Sequence, residues 1–237
     1  MPIPPQPVSP TENRLLAALS EAELQRLLPY LEPVSLTLGQ VIYESGGQMT
    51  HVYFPTNSII SLLYLMENGA TAEIGVTGFE GMVGLALFMG GQTTPNRAVV
   101  QSAGSAYRMR ANALQDEFVK GGTFQHILLR YTQALITQIS QTAVCNRLHP
   151  VEKQLCRWLL LSYDRLHSNK LVMTHNLIAN MLGVRREGIT IAAKQLQERG
   201  VISYVRGTIT LLDRPKLEAT VCECYGVVKK EYDRLLN

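Results

Sequence analysis

Long apolar runs are missing from this chain of 237 residues. The longest nearly unbroken one, Met82 to Met89, falls far short of the ~20 residues a membrane-spanning helix needs. The opening residues, MPIPPQPVSP, are rich in proline and lack both the charged start and the apolar core of a secretory leader. Together these absences predict a cytoplasmic protein with no membrane partner. Cysteine is also scarce: Cys145, Cys156, Cys222 and Cys224 are too few and too scattered for a disulfide framework, and free thiols are the default in a reducing compartment. Cys145 and Cys156 fall in apolar helical patterns and read as core. The pair Cys222 and Cys224 could ligate a metal, but no histidine stands at a zinc-site spacing from it. The five histidines, His51, His126, His149, His167 and His175, form no ligand cluster, so no metal and no cofactor is expected. A glycine-rich phosphate loop, a Ser-His-acid ordering and a close carboxylate pair beside a base are all lacking, which argues against an enzyme.

Charge is modest, at 17% of residues against 46% hydrophobic, and this composition supports packed cores rather than disorder. The net charge of +3 divides unevenly. Residues 1–150 hold 8 Lys or Arg against 10 Asp or Glu, while residues 151–237 hold 14 against 9. The basic half is therefore the candidate for phosphate binding.

That half contains THNLIANMLGVRREGITIAAK, residues 174–194. Leu177, Ile178 and Met181 give a first helix its apolar face, Thr174 offers an N-cap hydroxyl, and Gly183 supplies a sharp turn. In a second helix Ile189, Ala193 and Leu196 recur at helical spacing and face inward. Arg186, Glu187, Thr190, Ile191 and Lys194 are left on its other sides. Val201 to Val205 and Thr208 to Leu212 follow as two strand-like runs joined by Arg206-Gly207, a two-residue hairpin signature. Helix, turn, helix and hairpin in that order predict a winged helix bound to double-stranded DNA. The helix spacing alone also fits an ordinary antiparallel helix pair.

Upstream, Asn13 to Tyr30 predicts a short helical pair around a capping box from Ser20 to Glu23. From Val34 to about Met109, short β-rich runs alternate with turns at Gly46-Gly47, Asn68-Gly69 and Gly90-Gly91, the pattern of an antiparallel β-roll or barrel. These runs are Val41–Tyr43, His51–Phe54, Ile59–Leu65, Ala72–Val76 and Ala98–Gln101. From Phe124 the period turns helical. Phe124, Leu128, Tyr131 and Leu135 follow coiled-coil spacing, continued by Gln138, Thr142 and Cys145. Such a seam also fits a helix packed on its own barrel, but the helix-turn-helix downstream favours a dimerisation helix, because such modules bind paired half-sites as dimers. Pro150 breaks the pattern, and a new helix from about Glu152 to Leu166 opens the DNA-binding part. The expected fold is α+β, in three parts: a sensor domain over 1–110, a helical linker and dimerisation helix over 111–150, and a winged helix-turn-helix over 151–237.

This order of elements resembles the Crp-Fnr superfamily of bacterial transcription regulators over nearly the full chain. LGVRREGIT running into GVISYVRGTITLLDR looks like that family's recognition helix and wing. Gly81-Met82-Val83-Gly84 with Asn96-Arg97-Ala98 stands where the family has its cyclic-nucleotide phosphate cassette. The resemblance implies that Arg186 grips guanine and Glu187 accepts from cytosine, both chemically sound pairings. It implies that Thr174, Asn176 and Lys194 touch the DNA backbone, with Arg185 and Arg206 adding charge beside phosphates. Ile191 stands where some relatives carry a second base-reading arginine, which implies a different operator. In the cassette, Met82 replaces the acidic residue that binds the ribose hydroxyl, and Ala98 replaces a small hydroxyl residue. Arg97 remains, and Ser140 falls near where a helix hydroxyl would meet the base. Loss of a hydrogen bond to a charged group costs about 1.5–3 kcal/mol, so the effector is unidentified and is not expected to be ordinary cyclic AMP. No cysteine precedes Cys145, so the N-terminal cluster of oxygen-sensing relatives is absent, and no histidine position argues for haem. Implied partners are a second copy of the chain, DNA and RNA polymerase. The competing function is a small-molecule-binding module whose DNA domain is vestigial.

Overall fold

A computed structural model describes residues 8–166 and 168–237; the proline-rich residues 1–7 and His167 lie outside the described residues. Two short helices, α1 (Arg14–Ala17) and α2 (Glu21–Leu27), begin the fold. Asn13 caps α1 by accepting from the backbone of Leu15 and Leu16, and Ser20 with Glu23 forms the capping box of α2. Seven strands follow: β1 (Glu32–Leu36), β2 (Val41–Tyr43), β3 (His51–Pro55), β4 (Ile59–Leu65), β5 (Thr71–Thr77), β6 (Arg97–Ser102) and β7 (Gly104–Arg110). They pair antiparallel in two sheets, ordered β1-β7-β3 and β2-β6-β4-β5, which together form the β-roll. Helix α3 (Ala111–Val119) leads into the 27-residue α4 (Gly122–Leu148).

Glu23 joins the start of the chain to α4. The N-terminus of α4 has no side-chain cap of its own. The Glu23 carboxylate instead accepts from Thr123 N at 2.8 Å, while its other oxygen completes the capping box of α2. Burial opposes ionisation here, but hydrogen bonds from Ser20, Phe124 and Thr123 outweigh it and hold this carboxyl down to about 2.

After Pro150 the chain continues as α5 (Val151–Tyr163), β8 (Lys170–Val172), α6 (His175–Leu182), α7 (Arg186–Glu198), β9 (Ile202–Val205), β10 (Thr208–Leu211), α8 (Arg214–Thr220) and α9 (Glu223–Leu236). Strands β8, β10 and β9 form a three-stranded wing. Sequence periodicity misses β8, whose three residues carry too little pattern. It also leaves α8 and α9 unread, although Asp213 caps α8 through Lys216 N.

The inward face of α4 is occupied by its own chain. Phe124, Leu128, Tyr131, Leu135, Gln138 and Thr142 are all buried against the β-roll and α9. Tyr131 Oη donates to the carbonyl of Met82 at 3.0 Å, and a Cβ on Gly81 would stand 2.3 Å from the Tyr131 ring. Gln138 accepts from Val76 N at 2.7 Å, then donates to Val76 O at 3.1 Å and to Tyr232 Oη at 2.8 Å. The seam expected to meet a second copy is therefore used internally. Spacing records which residues are apolar, not which surface receives them. A second stripe is exposed instead: Leu129, Ile136, Val144 and Leu148, with Gln133 and Ser140 between them.

One hydrophobic core runs continuously from the β-roll into the C-terminal half. Helix α5 reaches β5 and β6 through Trp158 and Ser162, beside β4, which is buried on both faces from Ile59 to Leu63. Polar bonds cross this contact. Ser61 donates to Gln101, Gln101 donates to Ser162, and Trp158 Nε1 donates to Glu73 at 3.1 Å. Arg165, just past the end of α5, meets Glu80 at 2.7 Å, both almost wholly buried.

Burial pushes the Glu73 carboxyl up to about 7, against opposing help from Ser61, Arg157 and Trp158. Between the ordinary value of 4.5 and about 7, the folded chain thus retains a proton that the unfolded chain has lost. Stability from this group is highest below the ordinary value and falls as pH rises to 7. Glu73→Gln removes the ionisation while leaving an acceptor for Trp158. Thermal and urea unfolding across pH 4.5–8 should show the variant equal to wild type at the acid end and more stable above pH 7, by roughly 3 kcal/mol. An unchanged pH slope in the variant would show that Glu73 does not titrate there.

Candidate nucleic-acid interface and sensor cavity

Helix α6 begins at Thr174, whose hydroxyl accepts from Leu177 N at 3.3 Å, and ends at Gly183 in the left-handed region at φ 65°. That glycine turns the chain directly into α7. Leu177 points outward rather than into the apolar face, which is made by Ile178, Ala179, Met181 and Leu182. On α7, Ile189, Ala192, Ala193 and Leu196 are buried. Arg186, Glu187, Thr190, Ile191 and Lys194 are exposed, and Arg186, Thr190 and Lys194 form one row at four-residue intervals. No side chain caps α7, so its first backbone N–H groups face outward beside Arg185 and Arg186. Gly188, inside this helix, has room for a Cβ, which would make only ordinary contact with Val151 at 3.6 Å. Nothing in the packing explains the glycine.

The wing turns at Arg206-Gly207, with φ values of 50° and 79°. Two consecutive positive values are those of a primed hairpin turn, and they hold Arg206 at the exposed tip. The turn returns close to the start of α6, where Gly207 faces the Thr174 methyl. His175 binds the three elements together, with Nδ1 3.1 Å from Thr190 Oγ1 and its ring stacked at 4.2 Å on Tyr204 of the wing. Burial, then the charge of Arg186, lowers the affinity of His175 for a proton. Its neutral form suits both contacts. Sequence reading did not select His175 or Tyr204, because the stack joins residues that only the folded wing brings together. Thr174, Asn176, Arg185, Arg186, Glu187, Thr190, Lys194 and Arg206 are all exposed around this assembly. Lys194 faces Glu198 only loosely, at 3.7 Å across an exposed helix surface, so its charge stays available.

The sensor half is arranged differently from the expectation. Between the β-roll and α4 lies a cavity of about 390 Å³, lined chiefly by Leu62, Ile74, Leu85, Met89, Leu135 and Ile139. Its polar groups are neutral: Tyr43 donates to Asn96 at 2.7 Å, and Asn96 donates to Thr94 at 2.8 Å. None of the four expected effector residues lines it. Met82 and Ala98 are wholly buried in the core, Arg97 Nε lies 3.0 Å from Glu44, and Ser140 is exposed on the outer side of α4. Tyr131 accounts for part of this difference, since its ring fills the space beside Gly81.

Helix-turn-helix, wing, long helix and β-roll together define a DNA-binding transcription regulator with a cyclic-nucleotide-binding-like sensor domain. The cyclic nucleotide-binding domain family matches residues 33–120, and the Crp-like helix-turn-helix domain family matches residues 153–220. The chain carries both domains of the Crp-Fnr type of transcription regulator, a cyclic nucleotide-binding domain followed by a Crp-like helix-turn-helix domain. Solved structures of the same fold include FixK2 from Bradyrhizobium japonicum, 16% identical with a TM-score of 0.69, covering 81% of this chain and 98% of that one. A CRP-family regulator from Thermus thermophilus is 16% identical with a TM-score of 0.67, covering 79% and 95%. The c-di-GMP-responsive global regulator CLP from Xanthomonas campestris is 15% identical with a TM-score of 0.61, covering 82% and 100%. Curated protein sequences include no significant match to the chain. No helix among the described residues is long and apolar enough to cross a membrane.

Proposed function

We propose that two copies of this chain bind an inverted-repeat DNA site, each placing α7 in a major groove one helical turn, ~34 Å, from the other. The exposed row of Arg186, Thr190 and Lys194, backed by a fully buried opposite face, carries this reading. Arg186 would pair with guanine and Glu187 with cytosine. Thr174, Asn176, Arg185, Lys194 and Arg206 would hold phosphates. The two copies meet through Leu129, Ile136 and Val144, the apolar residues that α4 leaves exposed.

The sensed molecule is small, mostly apolar and uncharged. A cyclic phosphate requires a cation in the pocket, and the cavity lining contains no charged side chain. Ile136 and Ile139 belong to both α4 and the cavity wall, so an occupant touches the helix that pairs the two copies. Binding there would shift populations between spacings of the two α7 helices. RNA polymerase is the further partner that the family resemblance suggests.

Selection of bound sequences from a random DNA pool, with and without cyclic nucleotides, tests the reading as a whole. A palindrome unaffected by the nucleotides supports it, and failure to enrich any sequence favours a vestigial DNA domain. Arg186→Ala should cost about 1–3 kcal/mol on the selected site and relax base preference at its position; equal loss on random DNA would reject base reading. Lys194→Ala should weaken specific and random DNA alike and reduce the salt slope by about one. In sedimentation, wild type should be dimeric and Ile136→Asp should weaken self-association at least tenfold. A monomeric wild type, or a variant that pairs equally well, would reject the exposed stripe as the interface.

A further inference from the structure

Four side chains that the DNA-binding reading leaves idle converge at the far end of α4. Cys145 lies in its last turn, and His149, four residues on, is its C-cap residue, with its backbone N–H donating to the Cys145 carbonyl. Cys222 and Cys224 flank the start of α9. Three sulfurs and one imidazole nitrogen all lie within 4.8 Å of one another. Cys145 Sγ is 3.6 Å from Cys222 Sγ, and Cys224 Sγ is 3.6 Å from His149 Nδ1.

These separations have a chemical meaning. Zinc bonds of about 2.3 Å to sulfur and 2.0–2.1 Å to nitrogen, set tetrahedrally, place neighbouring ligand atoms roughly 3.5–3.8 Å apart. A disulfide requires sulfurs near 2.05 Å, far closer than here. A [4Fe–4S] cluster gives each iron its own thiolate, which separates the cysteine sulfurs more widely. A single tetrahedral ion therefore fits the spacing best.

The surroundings fit as well. All three cysteines are buried, and they form a small cluster apart from the main hydrophobic core. Glu223 Oε1 stands 3.5 Å from His149 Nε2 on the outer side of the ring, where a carboxylate commonly accompanies a ligating imidazole, and Nδ1 is turned inward to Cys224. Three thiolates, one neutral imidazole and a divalent ion carry one net negative charge. The buried guanidinium of Arg157 acts on Cys145 from α5, and its Nη1 donates to Thr142 Oγ1, less than one turn from Cys145.

We propose that Cys145, His149, Cys222 and Cys224 bind one Zn²⁺ ion. The ion pins the end of α4 to the start of α9, on either side of the winged helix in sequence. It thereby closes the C-terminal helix onto the same helix that Gln138 and Tyr232 join nearer its middle. Sequence spacing missed this set because the CxC pair and its histidine are separated by the entire winged helix.

Full-length protein purified under reducing conditions should contain one zinc per chain by mass spectrometry. Apo protein titrated with Co²⁺ should develop the intense visible bands of tetrahedral thiolate coordination, saturating at one equivalent. Cys222→Ser and Cys224→Ser should each bring zinc to background, and Cys156→Ala, at a buried cysteine outside the set, should retain it. Circular dichroism of each variant separates loss of metal from loss of fold. Wild type lacking zinc and giving no tetrahedral cobalt spectrum would overturn the proposal. So would zinc retained by a folded Cys222→Ser/Cys224→Ser double variant, or a Cys145–Cys222 disulfide detected by thiol counting.

Discussion

A single helix face governs the architecture: the inward side of α4, which the chain reserves for itself. Gln138 alone takes up both backbone groups of Val76 and holds Tyr232 of α9, leaving no polar atom of its amide idle. A buried amide with all its bonds made contributes on the order of 1 kcal/mol per bond, whereas leaving its partners unmade would cost more. Tyr131 adds the same logic about two turns away, bonding Met82 and Thr77 while packing into the space beside Gly81. The face that remains, with Leu129, Ile136, Val144 and Leu148, is the apolar surface that α4 leaves exposed.

The second governing contact is the seat of the C-terminal half on the β-roll. It combines an apolar bed around Trp158 with a few buried polar links: Trp158 to Glu73, Gln101 to Ser162 and Arg165 to Glu80. Buried ion pairs repay little of their desolvation, so Arg165 and Glu80 do more to fix the relative placement of the two halves than to stabilise it. Helix α6 completes the seat, with Thr71 donating to the Asn180 carbonyl at 3.3 Å. The outer face of α7 stays open while its neighbour α6 is docked. A regulator that moves its reading helices has to work against this seat, and the cavity beside Ile136 and Ile139 lies on the other side of the same roll strands.

Much of the fold was legible because local rules were sufficient. The capping box at Ser20, the strand runs from Val41 to Gln101, the Gly183 turn and the Arg206-Gly207 hairpin each depend on residues a few positions apart. The effector residues were not legible in this way. Met82 sits in the core beside Tyr131, some fifty residues distant, whose ring takes the space next to Gly81, while Ala98 is buried within β6 and Arg97 turns to Glu44 across a β-pairing. The stack of His175 on Tyr204 and the meeting of Cys145, His149, Cys222 and Cys224 are likewise products of distant segments.

By itself, the sequence determined the order of elements, the basic character of the C-terminal half and the identity of the side chains along α7, since period, turn chemistry and charge are written locally. Only the tertiary structure decided which stripe of α4 remains free, what lines the cavity and which thiols share a point in space. Apolar spacing shows that a face will be buried; the partner that buries it is chosen by the competition among all surfaces of the folded chain.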